Sequence, residues 1–235
     1  MDILLKEIFI GKPKTVGQKE AIEPMEREWT SGIFKEPVHG PIWVGKTNVS
    51  GDGQADLKNH GGPEKAIFAY PSSHYLYWQE ELKTADIRPG GMGENFSLEY
   101  VKEEQISIGD TFQVGEVMIQ VSQPRQPCWK PARRFKRKEL ALLIQNTGKT
   151  GWYFRVLQEG TVQEGDKLIL LERPHPEWTI AQCNYVMHVD KQNMELAQEL
   201  ANIELLATNW RKTLADRVDK RQVKDIRKRV LGPNE

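Results

Sequence analysis

Cysteine is scarce in this chain of 235 residues, which contains only Cys128 and Cys183. Two thiols are too few for the disulfide framework of a small secreted domain. The first residues carry acidic side chains where a signal peptide would carry basic ones. We therefore expect reduced thiols and a cytoplasmic location.

Long apolar runs and an excess of charge of one sign are also missing. No apolar run exceeds five residues, as in Leu140–Ile144, whereas a membrane-spanning helix needs about twenty. Lys and Arg number 33, as do Asp and Glu, so the formal net charge is zero. Because no global field is available to hold a polyanion, we expect neither membrane binding nor general binding of nucleic-acid polymers.

Several well-known catalytic motifs are absent from the sequence. It has no Cys-x-x-Cys pair, no His-Glu-x-x-His and no P-loop, and its five histidines lack the paired spacing of metal ligands. A structural zinc site, a zinc protease and a nucleoside triphosphatase therefore have no support. Any metal must arrive with its own ligands.

The residues that are present predict a mainly β fold with peripheral helices. The chain is 38% hydrophobic and 28% charged, and its length allows about 70% of the unfolded surface to be buried. Val117–Ser122 alternates apolar and polar side chains, and Gly115 and Glu116 before it are typical of a hairpin turn. Such closely spaced strands predict a barrel or a folded-over sheet.

The C-terminal part has a helical pattern instead. Thr179 and Gln182 match a capping box, and apolar residues then recur at helical spacing as far as Val218. We predict three short helices over residues 174–218 and a charged tail over 219–235. Nine basic and four acidic residues follow from Arg211 onward, for which we expect a solvated helix. A docking surface for an acidic partner is the alternative.

Cys128 lies in the most informative stretch of the sequence. Pro124 and Pro127 precede it and favour an extended backbone that neither continues a strand ladder nor starts a helix. Between Gln123 and Lys138 there are seven basic residues and no acidic one. Cations near a thiol favour the thiolate, which attacks electrophiles and binds metals. We therefore predict a reactive Cys128 and a buried, inert Cys183.

Three further stretches carry candidate ligand-binding groups. Gly61-Gly62 could form an anion-binding nest that His60 and Lys65 supplement. Gly90–Asn95 again combines three glycines with polar side chains. Arg155 stands alone in an aromatic strand, where an arginine usually pairs with a carboxylate or a ligand phosphate.

These stretches occur together, in order, in a known family. They are Asp56-Leu57-x-Asn59-His60-Gly61-Gly62 with Lys65, Gly93-Glu94-Asn95, Gln123-Pro124-Arg125-x-Pro127-Cys128-x-Lys130 and Gly151-Trp152-Tyr153-Phe154-Arg155-Val156. The set resembles MOSC domain proteins (molybdenum cofactor sulfurase C-terminal domain), specifically the YiiM-like bacterial group. Met92 departs from the pattern, since the group more often has an aromatic residue there. The resemblance implies a MOSC-type β-barrel over residues 1–173, followed by the three-helix C-terminal segment.

The resemblance also implies a molybdenum cofactor (molybdopterin), with Cys128 as the protein ligand to molybdenum. The residues expected to hold its phosphate and pterin are Asn59, His60, Lys65, Asn95, Gln123, Arg125 and Arg155. Members of the group reduce N-hydroxylated compounds, including hydroxylamino purine bases, and take electrons from a separate reductase. The expected activity is reductive N–O cleavage at molybdenum. Cys128 and His60 would be the catalytic residues, and His60 would supply protons.

Two other classes of function remain open at this point. The first is a cofactor-independent cysteine sulfur carrier or transferase, with Cys128 as nucleophile and His60 as its base. The second is a nucleic-acid-binding module in which the basic patch holds the backbone and Trp129 and Phe135 stack on bases.

Overall fold

The computed structural model describes residues 2–57 and 59–235. Its strands are β1 (Ile3–Ile10), β2 (Lys14–Val16), β3 (Trp29–Ser31), β4 (Glu36–Val38), β5 (Ile42–Val44), β6 (Ile67–Pro71), β7 (Phe96–Glu99), β8 (Thr111–Val114), β9 (Val117–Pro124), β10 (Trp152–Gln158), β11 (Gly160–Val162) and β12 (Lys167–Glu172). Its helices are α1 (His74–Leu82), α2 (Trp129–Arg134), α3 (Leu140–Thr147), α4 (Ile180–Asn184), α5 (Met194–Asn202), α6 (Thr208–Lys220) and α7 (Arg227–Val230).

Seven strands close into a barrel in the order β12-β8-β9-β10-β6-β7-β1. The ring is completed where β1 pairs with β12, with Ile3 opposite Leu168. Its pairs are antiparallel except β6 with β7, and β4 adds an extra strand at β1. The predicted mainly β fold and its barrel are thus confirmed.

Side chains fill the inside of this barrel. On β10, Trp152, Phe154 and Val156 belong to the main apolar core, whereas Tyr153 and Arg155 alternate with them on the outer face. A second apolar cluster lies outside the barrel and includes residues of α1, α2 and α3. Because the interior is packed, a ligand site must lie on the outer wall.

The helices predicted after the barrel are present as α4, α5 and α6. The hydroxyl of Thr179 accepts a hydrogen bond from the backbone N–H of Gln182 at 3.1 Å, as the capping motif predicts. A π-helical turn, Tyr185–Val189, follows α4. The Arg217 guanidinium donates to the Val186 and Met187 carbonyls of this turn, at 2.9 Å each, and so joins α6 to it.

The prediction of a solvated helix from Arg211 to the end is wrong in part, since the stretch is broken into α6 and α7 and two of its arginines are not solvated, although most of its other charged residues are exposed. Arg217 is buried, because its guanidinium satisfies those two carbonyls. The chain then turns at Arg221 and packs back onto the barrel through α7. Val230 is only 3% exposed, within the second apolar cluster. Local charge density does not reveal such long-range burial.

None of the helices in the described residues is long and apolar enough to cross a membrane.

Candidate functional site

Cys128 lies in the connection between strand β9 and helix α2. β9 ends at Pro124, and Cys128 is the N-cap residue of α2, with an extended backbone (φ −118°, ψ 172°). The thiol is partly exposed and borders a cleft on the outer wall, with about 590 Å³ of open space including its mouth. The proline-framed turn therefore presents the thiol to a cleft that is open to solvent.

His60 is the direct neighbour of this thiol, although 68 residues separate the two in sequence. Its Nε2 lies 3.8 Å from Cys128 Sγ, and its Nδ1 lies 3.6 Å from Asp56 Oδ2. Asp56 is fixed in turn by the side-chain amide of Asn59, at 2.9 Å. The imidazole of His60 thus lies between the thiol of Cys128 and the carboxylate of Asp56.

These surroundings favour the thiolate of Cys128. Burial raises the pKa of the thiol, but the hydrogen bond from His60 and the positive charges of His60 and Arg125 outweigh it. The resulting pKa is about 6, against 9.0 for an ordinary cysteine. The pKa is lowered in the direction that the basic stretch predicted, but the main cause is His60, and Arg125 is the one cation of that stretch that contributes its charge.

Arg125 provides a buried cation beside the cleft. Its side chain is held over the Phe68 ring at 5.0 Å, and the residue is 6% exposed. Its Nη1 is buried and has no hydrogen-bond partner among the described residues. A buried guanidinium with a free donor is costly unless a ligand satisfies it, so Arg125 marks a position for an anionic group.

Lys35 and Asp52 form a buried ion pair in the same wall, which no motif in the sequence indicated. Asp52 also accepts hydrogen bonds from the Asn95 side chain at 3.0 Å and from the Gly11 N–H at 2.9 Å. Burial lowers the pKa of Lys35, and Asp52 opposes that shift. The pair joins two loops far apart in sequence, so no local pattern could have revealed it.

The cleft also has an apolar side and carries an excess of positive charge. Phe68 and Tyr153 stand at a ring-centroid distance of 5.2 Å, and Ile33 and Met92 extend this surface. Burial raises the pKa of Tyr153 to about 12, so its phenol stays neutral. The charged residues that line the cleft are Lys35, Asp52, Lys65, Arg125 and Lys130. Before the thiolate is counted, this is an excess of three positive charges.

Glycines allow the loops of the wall to approach each other. Gly93 has φ +84°, and a Cβ there would lie 2.9 Å from Cγ1 of Ile33. The anion nest expected from Gly61-Gly62 does not form, because Gly62 adopts φ 86° and ψ 173° rather than helical values. Lys65 instead donates to the Asn59 carbonyl at 2.9 Å and fixes the loop that carries His60.

The structure brings some of the predicted site residues together and separates others. The ones that line the cleft are His60, Lys65, Asn95, Arg125 and Cys128. Asn59 lies behind the loop against Asp56. Gln123 is buried and donates to the Pro124 carbonyl at 3.1 Å, outside the cleft lining.

Arg155 does not line the cleft either. It lies two residues beyond Tyr153 on the outer face of β10, where Nη2 is 3.7 Å from Glu64 and Nη1 donates to Gln120 at 3.1 Å. The lone arginine of this strand therefore has a protein carboxylate as its partner, and not a group in the cleft. The family resemblance placed Arg155 among the residues expected to hold the cofactor, and its position outside the cleft lining does not favour that role.

Within the described residues, no group of three or more His, Cys, Asp or Glu side chains is arranged to hold a metal ion. Cys128 is a single soft ligand, and it can hold a metal only when other groups complete the coordination.

Comparison with protein families matches two regions of the chain. A model described as MOSC domain matches residues 56–169, and one described as YiiM-like, 3-alpha helix domain matches residues 178–221. The Bacillus subtilis protein YflK is 38% identical over 211 residues, which cover 90% of this chain and 92% of that protein.

Two further relatives add a structure and a named activity. The crystal structure of YiiM from Geobacillus stearothermophilus superimposes with a TM-score of 0.77 at 36% identity, over 92% of this chain and 99% of that one. A longer protein of Gibberella moniliformis, named a reductase, is 35% identical over 181 residues, which cover 76% of this chain and 32% of that protein.

Proposed function

Because the chain belongs to the MOSC family, with its YiiM-like three-helix domain, we propose that it binds molybdenum cofactor and reduces N-hydroxylated compounds to amines. The observation that carries the proposal is a thiol whose surroundings favour the thiolate, in one cleft with a buried guanidinium that has one donor, Nη1, without a partner among the described residues. The reductase name of the longer relative supports the reaction class. The balanced reaction takes R–NHOH, two protons and two electrons to R–NH₂ and water.

The lining residues fit such a group. The Cys128 thiolate is a soft ligand suited to a metal–sulfur centre. Arg125 offers a buried free donor, and Lys65 and Lys130 add positive charge for an anionic phosphate. When bound, the cofactor would supply the two-electron chemistry that cleaves the N–O bond.

The remaining roles follow from the chain's own geometry. His60 Nε2 stands 3.8 Å from the thiol, where it can hold a proton next to the reacting atoms and pass it to the departing oxygen. The apolar rings of Phe68 and Tyr153 limit water on one side of the cleft. Electrons would come from a separate reductase, the partner that the family resemblance implies.

Metal and pterin analysis of protein from a cofactor-competent host tests this proposal. We expect molybdenum and pterin in the wild type and in the control variant Cys183→Ala, and their loss together with reductase activity on a hydroxylamino base in Cys128→Ala. Wild-type protein without molybdenum would overturn the proposal.

The line of Cys128, His60 and Asp56 favours a second candidate, a cofactor-independent sulfur carrier or transferase. In that function His60 activates the thiol, and Asp56 adds a negative charge 3.6 Å from Nδ1 without a hydrogen bond to it. Mass spectrometry distinguishes the two: a persulfide on Cys128 in protein free of pterin supports the sulfur carrier.

The nucleic-acid module has less support. The Trp129 ring packs against Trp29 at 5.4 Å and under the Arg133 guanidinium at 5.0 Å, so it is not a free stacking surface.

A further inference from the structure

The chain beyond residue 221 lies outside the matched three-helix region. It returns to residues 125–130, the thiol loop, which carries Cys128. Val230 of α7 is buried in the second apolar cluster, and Ile226 and Leu231 pack against that cluster. α2, the helix that Cys128 caps, contributes to the same cluster. The last residues of the chain are therefore part of the wall that supports the thiol.

Arg229 makes the most direct contact between this segment and the thiol loop. Its Nη1 donates to the carbonyl of Pro127, the residue immediately before Cys128. Its Nη2 donates at 2.6 Å to Oε1 of Gln145, which is buried on α3. One planar guanidinium thus connects the loop to a helix.

The loop needs such a partner because its own backbone pairing ends early. β9 pairs with β10 as far as Pro124, opposite Trp152, and the Arg125 N–H still donates to the Gly151 carbonyl. The Pro127 carbonyl lies beyond the last residue that pairs in the sheet, and a buried carbonyl without a donor is unfavourable. Arg229, 102 residues further along the chain, supplies that donor.

Other contacts of the C-terminal segment bracket the same loop. The Asn234 side chain donates to the Trp129 carbonyl at 3.1 Å, and Arg133 donates to the Pro233 carbonyl at 2.8 Å. Burial lowers the pKa of Arg229 to about 10, which the negative charge of Cys128 opposes, so the guanidinium stays charged at neutral pH.

We propose that Arg229 is a positioning residue for Cys128, which holds the Pro127–Cys128 turn in place by bridging the Pro127 carbonyl and Gln145. The inference requires only that Cys128 is the reactive group of the cleft. It therefore holds for either candidate function, and its test does not need bound cofactor.

Amide hydrogen exchange of the cofactor-free protein provides the test, with Arg227→Ala as the matched control. Arg227 lies on the same helix, and its exposed side chain pairs with Glu235 at 3.0 Å. In Arg229→Ala we expect exchange of residues 125–130 to accelerate about tenfold while β8 and the first half of β9 keep wild-type rates. Arg227→Ala should match the wild type throughout.

Arg229→Lys separates positioning from general support of the fold. Lysine keeps the charge and the apolar stem but lacks the planar fork, so exchange of residues 125–130 should be intermediate. Wild-type exchange in both Arg229 variants would overturn the proposal. Acceleration that is equal in the loop and in the barrel strands would also overturn it, because Arg229 would then support only the overall fold.

Discussion

The two cysteines of this chain show how strongly position determines the chemistry of one side chain. Cys128 caps a short helix after a proline-framed turn, next to His60 and near Arg125, and its pKa is about 6. Cys183 lies inside α4 in the main core, where burial raises the pKa of its thiol well above the ordinary value. The surroundings of the first favour the thiolate at neutral pH, and those of the second favour the neutral thiol, which packs as an apolar side chain.

The difference between their pKa values comes from neighbouring polar groups more than from burial. Burial raises the pKa of both thiols, but only Cys128 has a hydrogen-bonding imidazole and cations near enough to reverse the effect. Among the described residues, the thiol of Cys183 donates to the carbonyl of Trp178 at 3.8 Å, and a carbonyl does not stabilise negative charge.

The largest difference should appear in alkylation by iodoacetamide. At pH 7 we expect Cys128 of the cofactor-free protein to react at least about 100-fold faster than Cys183, because reaction requires an accessible thiolate. Peptide mass spectrometry assigns the modified thiol. Equal labelling of both cysteines in folded protein would contradict the predicted difference in their reactivity.

Replacing each thiol by a hydroxyl should give the opposite ranking for stability. Cys183→Ser places a hydroxyl in the apolar core and should lower the free energy of unfolding by about 2 kcal/mol, roughly 30-fold in the unfolding equilibrium. Cys128→Ser should change it by less than about 0.5 kcal/mol. Urea denaturation measures both. A larger loss in Cys128→Ser would mean that the fold depends on the thiolate.

Removing the imidazole should make Cys128 more like an ordinary thiol. In the wild type the alkylation rate should rise with pH, with a midpoint near 6, because the thiolate forms as the proton leaves. His60→Ala should move this midpoint upward, to about 8.5 or higher. At pH 6 the rate should fall about tenfold, since the loss of thiolate exceeds the gain in intrinsic nucleophilicity. His188→Ala, which changes a histidine outside the cleft lining, is the control.

The carboxylate behind the imidazole should have the smallest effect. Asp56 lies 3.6 Å from His60 Nδ1, partly exposed to solvent, where charge interactions are weak. Asp56→Asn should lower the alkylation rate at pH 6 by about twofold. A loss as large as that of His60→Ala would show that the carboxylate controls the charge of the imidazole.

The sequence identified the parts of this site that depend on local patterns. The prolines before Cys128 predicted an extended backbone, and this feature is present. The reactivity of the thiol stays a prediction, and the low pKa that favours it comes mainly from His60 and Arg125. The strand β9 and the cap at Thr179 depend only on neighbouring residues, and both were predicted correctly. The half-buried character that the alternation predicts for β9 is wrong, because Gln120 and Ser122 on its second face are also buried.

Residues that act through distant partners could not be predicted in this way. The partner of Arg155 is Glu64, on another element, and Lys35 meets Asp52 only once two loops have packed together. Arg217 and Arg229 belong to a charge-rich stretch that is usually solvated, yet both satisfy backbone carbonyls of other segments. Contacts of this kind arise from the tertiary fold and leave no periodic pattern in the sequence.

Closure of the barrel also sets an order of events during synthesis of the chain. Ile3 pairs with Leu168, so β1 must wait for the 165 residues that follow it before the ring can close. The Pro127 carbonyl likewise waits for Arg229, which lies 102 residues further along the chain. The thiol loop therefore acquires its complete support only after the three-helix segment has been synthesised, and a ligand that needs the finished cleft binds after that point.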